Sequence, residues 1–104
     1  MTMELSATSP ISDEVASRLA ELFRALGDPS RVRIIAALTE GEASVSSLAE
    51  VAGISESSTS HHLRSLRLMR LVRTRKYGRQ VFYSLDDDHI VNLFQGSLDH
   101  ILHG

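Results

Sequence analysis

The sequence predicts a mainly α-helical domain that carries a β-hairpin before its last helix, in the order ααααββα. Three observations carry that prediction. Apolar residues recur at helical spacing through the first two thirds of the chain. The period drops to two over "LVRTR" and "VFYSL". A helical stripe of Ile90, Phe94, Leu98 and Ile101 then returns. At 104 residues the chain supports one small domain, taken as 11–104, behind a polar and disordered arm at 1–10.

The first helix is read from Val15, Leu19, Leu22, Phe23 and Leu26, with Gly27 as its stop. The next opens on "DPSRVRIIAAL": Asp28 is the N-cap, and Pro29 takes the first helical position, where a missing N–H costs nothing. Ile34, Ile35 and Leu38 form its buried side, and Gly41 ends the element. A short third helix runs from about Ser46 to Ala52, with Leu48 and Ala52 pointing inward and small Ala49 allowing close packing. Gly53 supplies the positive φ of a sharp helix–helix turn. Ser55 caps a fourth helix, "ESSTSHHLRSLRLM". Helix, glycine turn, helix is a helix-turn-helix pattern.

On that fourth helix Thr59, Leu63 and Leu66 share one side, with His62 at its border. Ser57, Ser60, His61 and Arg64 lie opposite. Short hydrogen-bonding side chains over two turns, followed by Arg64 and Arg67, suit close approach to base edges and phosphates. Ser57, Ser58, Ser60, His61, Arg64 and Arg67 are therefore candidate DNA contacts, although serines also cap helices and face solvent. His61 and His62 diverge by about 100°, a poor chelating pair; His62 is expected to pack or hydrogen-bond within the fold.

"LVRTR" and "VFYSL" read as two strands joined by "KYGRQ", with the turn at Gly78. Lys76 and Arg79 sit at the tip and Arg75 beside it. A helix-turn-helix followed by a basic hairpin is a winged helix, so these three are candidate backbone contacts. Tyr77 either donates to a phosphate or shields the turn. The charge distribution agrees. Residues 57–85 hold six arginines and one lysine without an acid, whereas the remainder holds four arginines against all thirteen acids, for a net charge of −2. Such a split suggests a polyanionic partner, the plainer reading being a solvated basic surface.

The last helix opens on "DDD", which caps it and meets the positive end of its dipole. Its stripe docks onto the domain or onto a second copy of it. Asp87 and His89 stand at its start, His100 and His103 at its end. These are ligand types on similar headings. From His89 to His100 the helix rises about 16 Å, too far for one ion with bonds of about 2 Å. Two antiparallel copies remove the difficulty: the start of one helix lies beside the end of the other. Two inter-subunit sites per dimer result, each with one carboxylate and three imidazoles. Against this, aspartates at helix starts are common caps, and histidines at helix ends favour the dipole. The ligand chemistry points to tetrahedral Zn(II), with Co(II) as the alternative.

Other classes are constrained. The absence of cysteine removes disulfides, thiolate zinc sites and a cysteine nucleophile. No apolar run approaches the roughly 18 residues of a membrane span, and no signal peptide is evident, so a cytoplasmic protein with no membrane partner is expected. A zinc hydrolase needs an open coordination position and a base; four ligands leave none, and HExxH is missing. An enzyme is not expected.

With "LGDPSRVRIIAAL", "SVSSLAEVAGISESSTSHHLRSLR", the basic wing ending "VFYSL", and D-x-H followed by H-x-x-H, the chain resembles the ArsR/SmtB family of bacterial winged-helix metal sensors over about residues 13–103. The last mark resembles the terminal-helix site of the zinc- and cobalt-sensing branch. The resemblance implies a homodimer joined through its first and last helices. It gives ligand roles to Asp87, His89, His100 and His103, and turns Ser57, Ser60 and His61 toward the operator. It also implies the sign of regulation. The metal-free dimer binds operator DNA with an imperfect inverted repeat, and metal lowers that affinity, derepressing metal efflux or sequestration genes. A ligating histidine is expected to pass its second N–H to a group near Met69 and Arg70. Departures are specific. Ser44 and Ser46 stand in a stretch where thiolate sensors carry cysteines, Glu56 stands where glutamine is common, and Arg70 where glycine often ends the helix. The competing reading is a winged-helix regulator that answers another signal, or no metal, with histidines used only for packing.

Overall fold

A computed structural model describes residues 9–104. The arm expected at 1–10 falls outside the described residues over 1–8. Helix α1 (Asp13–Leu26) starts where Ser12 Oγ accepts the Val15 N–H at 3.1 Å. Helix α2 (Pro29–Leu38) starts where the Asp28 carboxylate accepts the Arg31 N–H at 3.0 Å, with Pro29 in the first turn. Both caps satisfy amides that the helix itself leaves open.

Strand β1 (Ala43–Ser44) follows, then helix α3 (Val45–Ala52), helix α4 (Glu56–Leu68), strands β2 (Val72–Tyr77) and β3 (Gln80–Leu85), and helix α5 (Asp88–His103). The sheet is antiparallel in the order β1-β3-β2. The observed order is thus ααβααββα: β1, absent from the sequence reading, pairs Ala43 with Tyr83 and Ser44 with Phe82. Ser44 also caps α3, accepting the Ser47 N–H, so that helix begins one residue earlier than expected.

The hairpin differs too. Strand pairing runs out to Tyr77 and Gln80, leaving two loop residues instead of the five of "KYGRQ". Positive φ at Gly78, the first of the two, is the arrangement of a type II′ turn, whose twist matches the strands. Lys76 consequently lies within β2, opposite Val81, and Arg79 alone of the two occupies the tip.

The core is one cluster. Ile34 and Ile35 from α2, Leu48 from α3, Leu63 and Leu66 from α4, and Val72 from β2 are each at most 2% exposed. Burying each such side chain contributes about 1.5–3 kcal/mol. Ala25, Ala52, Leu71 and Leu85 complete it. Among the described residues no helix is long and apolar enough to cross a membrane.

Candidate functional site

The candidate DNA face depends on how α4 is aimed. At the end of α3, Gly53 takes φ +70°, its N–H meets the Glu50 carbonyl at 3.3 Å, and Ile54 N–H reaches back to the Ala49 carbonyl at 3.2 Å. This paired closure ends the helix and redirects the chain within three residues. Ser55 then accepts the Ser58 N–H at 3.0 Å and starts α4. Thr59, fully buried, donates its hydroxyl to the Ser55 carbonyl at 2.9 Å. The apolar face of α4, Leu63 and Leu66, is locked into the core. Its opposite face is therefore held at a fixed angle to the domain.

That outer face exposes Ser57, Ser58, Ser60, His61, Arg64 and Arg67. Ser58 is partly engaged, since the Ser55 hydroxyl donates to its Oγ at 3.1 Å. His62 is half-buried, and its Nδ1 accepts the Arg31 Nε–H at 3.0 Å. Accepting there leaves the proton of the neutral ring on Nε2. His62 thus ties α4 to α2, as its border position on the helix suggested.

The end of α4 shows why Arg70 matters. Arg70 adopts φ +60°, the sole described non-glycine residue in that region. Its N–H meets the Arg67 carbonyl and the Leu71 N–H meets the Leu66 carbonyl, both at 2.9 Å. The chain closes α4 as it closes α3, but with an arginine in the glycine place, at a cost of about 1–2 kcal/mol.

On the wing, Arg75, Lys76 and Arg79 are exposed. Arg75 is not free: its guanidinium donates to Glu42 Oε1 at 2.6 Å and lies 4.6 Å above the Tyr77 ring. The hydrogen bond to Glu42 is the main reason its pKa rises above the ordinary arginine value, partial desolvation working the other way. Tyr77 in turn meets Phe82 edge-on at 5.8 Å. Of the two sequence readings for Tyr77, the packing role is the one these contacts display.

Helix α5 carries the ligand candidates. Its stripe divides in two. Ile90, Val91 and Phe94 pack against the core, whereas Leu98, Ile101 and Leu102 stay 44%, 78% and 63% exposed. Leu98 and Ile101 border an open apolar groove shared with Phe23 and Leu26 of α1 and Val32 and Ile35 of α2. Val15, Leu19 and Phe23 leave α1 with an exposed apolar face as well.

At the start of α5, Asp87 Oδ1 accepts the amides of His89 at 2.9 Å and Ile90 at 3.3 Å, while His89 Nδ1 stands 3.5 Å from the same oxygen. Desolvation pushes the Asp87 carboxyl up, but the Ile90 and His89 hydrogen bonds outweigh it and hold its pKa below the usual aspartate value. Oδ2 has no hydrogen-bond partner among the described residues. His89 is 94% exposed. His100 and His103 lie in the last turn, one helical step apart. Between the pairs α5 runs unbroken over its 16 residues. Within the chain, no three described ligand-type residues gather at one point.

Residues 28–74, which hold α2 to the middle of β2, match the family described as bacterial regulatory protein, arsR family. Over 88% of this chain and 69% of the relative, the sequence is 47% identical to a Synechocystis protein named transcriptional repressor SmtB homolog. The chain belongs to the arsR family. It is also 40% identical to a Staphylococcus aureus relative named cadmium resistance transcriptional regulatory protein CadC homolog, over 79% of this chain and 69% of that one. Its fold is similar to the homodimeric winged helix-turn-helix DNA-binding domain of Mb0332 from Mycobacterium bovis, described as a possible ArsR-family transcriptional regulator. That similarity has a TM-score of 0.76 at 25% identity and covers 93% of this chain and 96% of that domain. The protein is accordingly a winged-helix transcriptional repressor of the ArsR/SmtB branch and not an enzyme.

Two features of this ArsR-family site escaped the sequence reading. Nothing local in the sequence singles out Glu42, because its partner Arg75 lies 33 positions away. The left-handed Arg70 shows in the sequence only as an arginine where glycine often ends the helix. A positive φ at that position would have followed from asking which residue closes α4.

Proposed function

We propose that this ArsR-family repressor is metal-responsive. Its metal-free homodimer sets two α4 helices in successive major grooves of an operator with an imperfect inverted repeat. Ser57, Ser58, Ser60, His61, Arg64 and Arg67 face the bases and flanking phosphates, and Arg75, Lys76 and Arg79 run along the backbone. The exposed apolar faces of α1 and α5 meet their copies across the two-fold axis. Zn(II), with Co(II) as the alternative, is held at two inter-subunit sites. At each, Asp87 and His89 of one protomer face His100 and His103 of the other.

The observation that carries this reading is the placement of two incomplete ligand pairs at opposite ends of one unbroken helix. The pairs fit half a tetrahedral shell each: a free carboxylate oxygen and three imidazoles, without sulfur. The staphylococcal relative, named for cadmium resistance, supports metal regulation. When bound, the ion would cross-link the two α5 helices and favour one dimer geometry. By linkage, whatever metal does to operator affinity, operator does to metal affinity by the same factor, typically 1–3 kcal/mol. We assign release from the operator, and so derepression of metal efflux or sequestration genes, to the metal-bound state in the cytoplasm.

A second reading rests on Asp87, which already caps its own helix. In it the end residues serve only α5, and another signal, or none, governs the repressor. Operator binding in chelator, titrated with zinc and cobalt, separates the two. The metal reading requires weaker binding at one ion per chain, and loss of that response in His100→Gln with metal-free affinity intact. Operator affinity indifferent to both metals would leave the second reading.

A further inference from the structure

The seven basic residues of 57–85 do not share one environment. Six of them, Arg79 at the wing tip included, have no carboxylate within ion-pair distance among the described residues. Arg75 has one, at 2.6 Å. Glu42 reaches it because β1 adds to the hairpin: Ser44 and Arg75 both stand opposite Phe82 on β3, and Glu42 lies two residues before Ser44, on the same face. The Tyr77 ring holds the guanidinium from its own strand. Yet both partners are accessible, at 58% and 31% exposure. Such an exposed pair is weak, a factor of about 1.5 to 5 in an equilibrium. Its contribution to folding is correspondingly small. Its chemistry is particular, however. A carboxylate and a phosphate make the same kind of claim on a guanidinium fork.

We infer that Glu42 is an internal rival of the DNA backbone for Arg75, so that the wing takes up this phosphate contact only by breaking an ion pair within the chain. Glu42 thereby sets how strongly the wing grips DNA of any sequence. The inference rests on the wing contacting phosphate, as proposed above.

The test measures affinity and its salt dependence for the metal-free protein on operator and on an unrelated duplex. It uses wild type, Glu42→Gln, Arg75→Ala, the double variant, Glu40→Gln and Arg79→Ala. Glu40 is an exposed neighbour without a cationic partner among the described residues, so Glu40→Gln reports the general loss of one negative charge. Glu42→Gln should tighten binding about 1.5- to 5-fold beyond Glu40→Gln, on both duplexes. Its log–log salt slope should steepen by up to about 0.9, one phosphate contact. In the Arg75→Ala background the same change should do no more than Glu40→Gln. Glu42→Gln that matches Glu40→Gln, weakens binding, or acts equally without Arg75 overturns the inference. Arg79→Ala separates the failures. If it flattens the slope while Glu42→Gln is inert, the wing reading stands and the rivalry falls; if both are inert, both fall.

Discussion

Two complementary variants, refolded together, test the shared metal site. One is Asp87→Asn with His89→Gln and keeps the C-terminal pair. The other is His100→Gln with His103→Gln and keeps the N-terminal pair. Asparagine retains an Oδ1 that can accept the His89 and Ile90 amides, met by Asp87 at 2.9 and 3.3 Å, so the cap of α5 survives. Eleven residues at 1.5 Å each separate His89 from His100 by about 16 Å, and two ligands of one ion with bonds of about 2 Å can stand at most about 4 Å apart. Neither variant alone can therefore build a complete shell. In a mixed dimer one end unites both intact pairs and the other unites both damaged ones. Random pairing makes half of the dimers mixed, which gives about one ion per four chains, against about one per chain in the unaltered protein. The tetrahedral Co(II) absorption band and equilibrium dialysis read this directly. Tight binding by either variant alone, or a mixture that binds no more than its parts, would refute the shared site.

Three further outcomes follow from the fold. Arg70→Gly should raise stability, because relief of about 1–2 kcal/mol at φ +60° exceeds the added chain entropy of glycine, about 0.5–1 kcal/mol; a melting temperature unchanged or lower would contradict it. Leu63→Ala, at a fully buried position, should cost about 2–5 kcal/mol in urea unfolding, and a loss below about 1 kcal/mol would mean α4 is not anchored as described. Asp87 has a folded-state pKa below its unfolded value, so its contribution is present above the ordinary aspartate range near pH 3.9 and is lost as pH falls through the folded value. Acid unfolding of the metal-free protein should therefore be shallower in Asp87→Asn; an identical acid limb would remove the cap from its assigned role.

Much of the fold was legible because its signals are local. Asp28 with Pro29, Gly53 with Ser55, and the "DDD" opening of α5 each fix a helix boundary within four residues. The inward set of α4, Thr59, Leu63 and Leu66, followed from helical spacing and is the buried set observed. The hairpin was read with too long a loop, because Lys76 and Gln80 look like turn residues until the opposite strand is in place. Strand β1 has only two residues, too few for any period, and exists because β3 offers it an edge.

The site divides along the same line. The sequence alone determined that the ligand-type residues come in two pairs, for eleven helical residues impose a distance no side chain can cancel. It also determined which face of α4 stays free, since the apolar residues must take the other. Only the tertiary structure decided that Arg75 is held by Glu42, that His62 is bound to Arg31, and that the α5 stripe is half docked and half bare. Periodicity describes one element against its own axis. Ion pairs and grooves depend on how separate elements are placed, and that placement is set by the packing of the whole core.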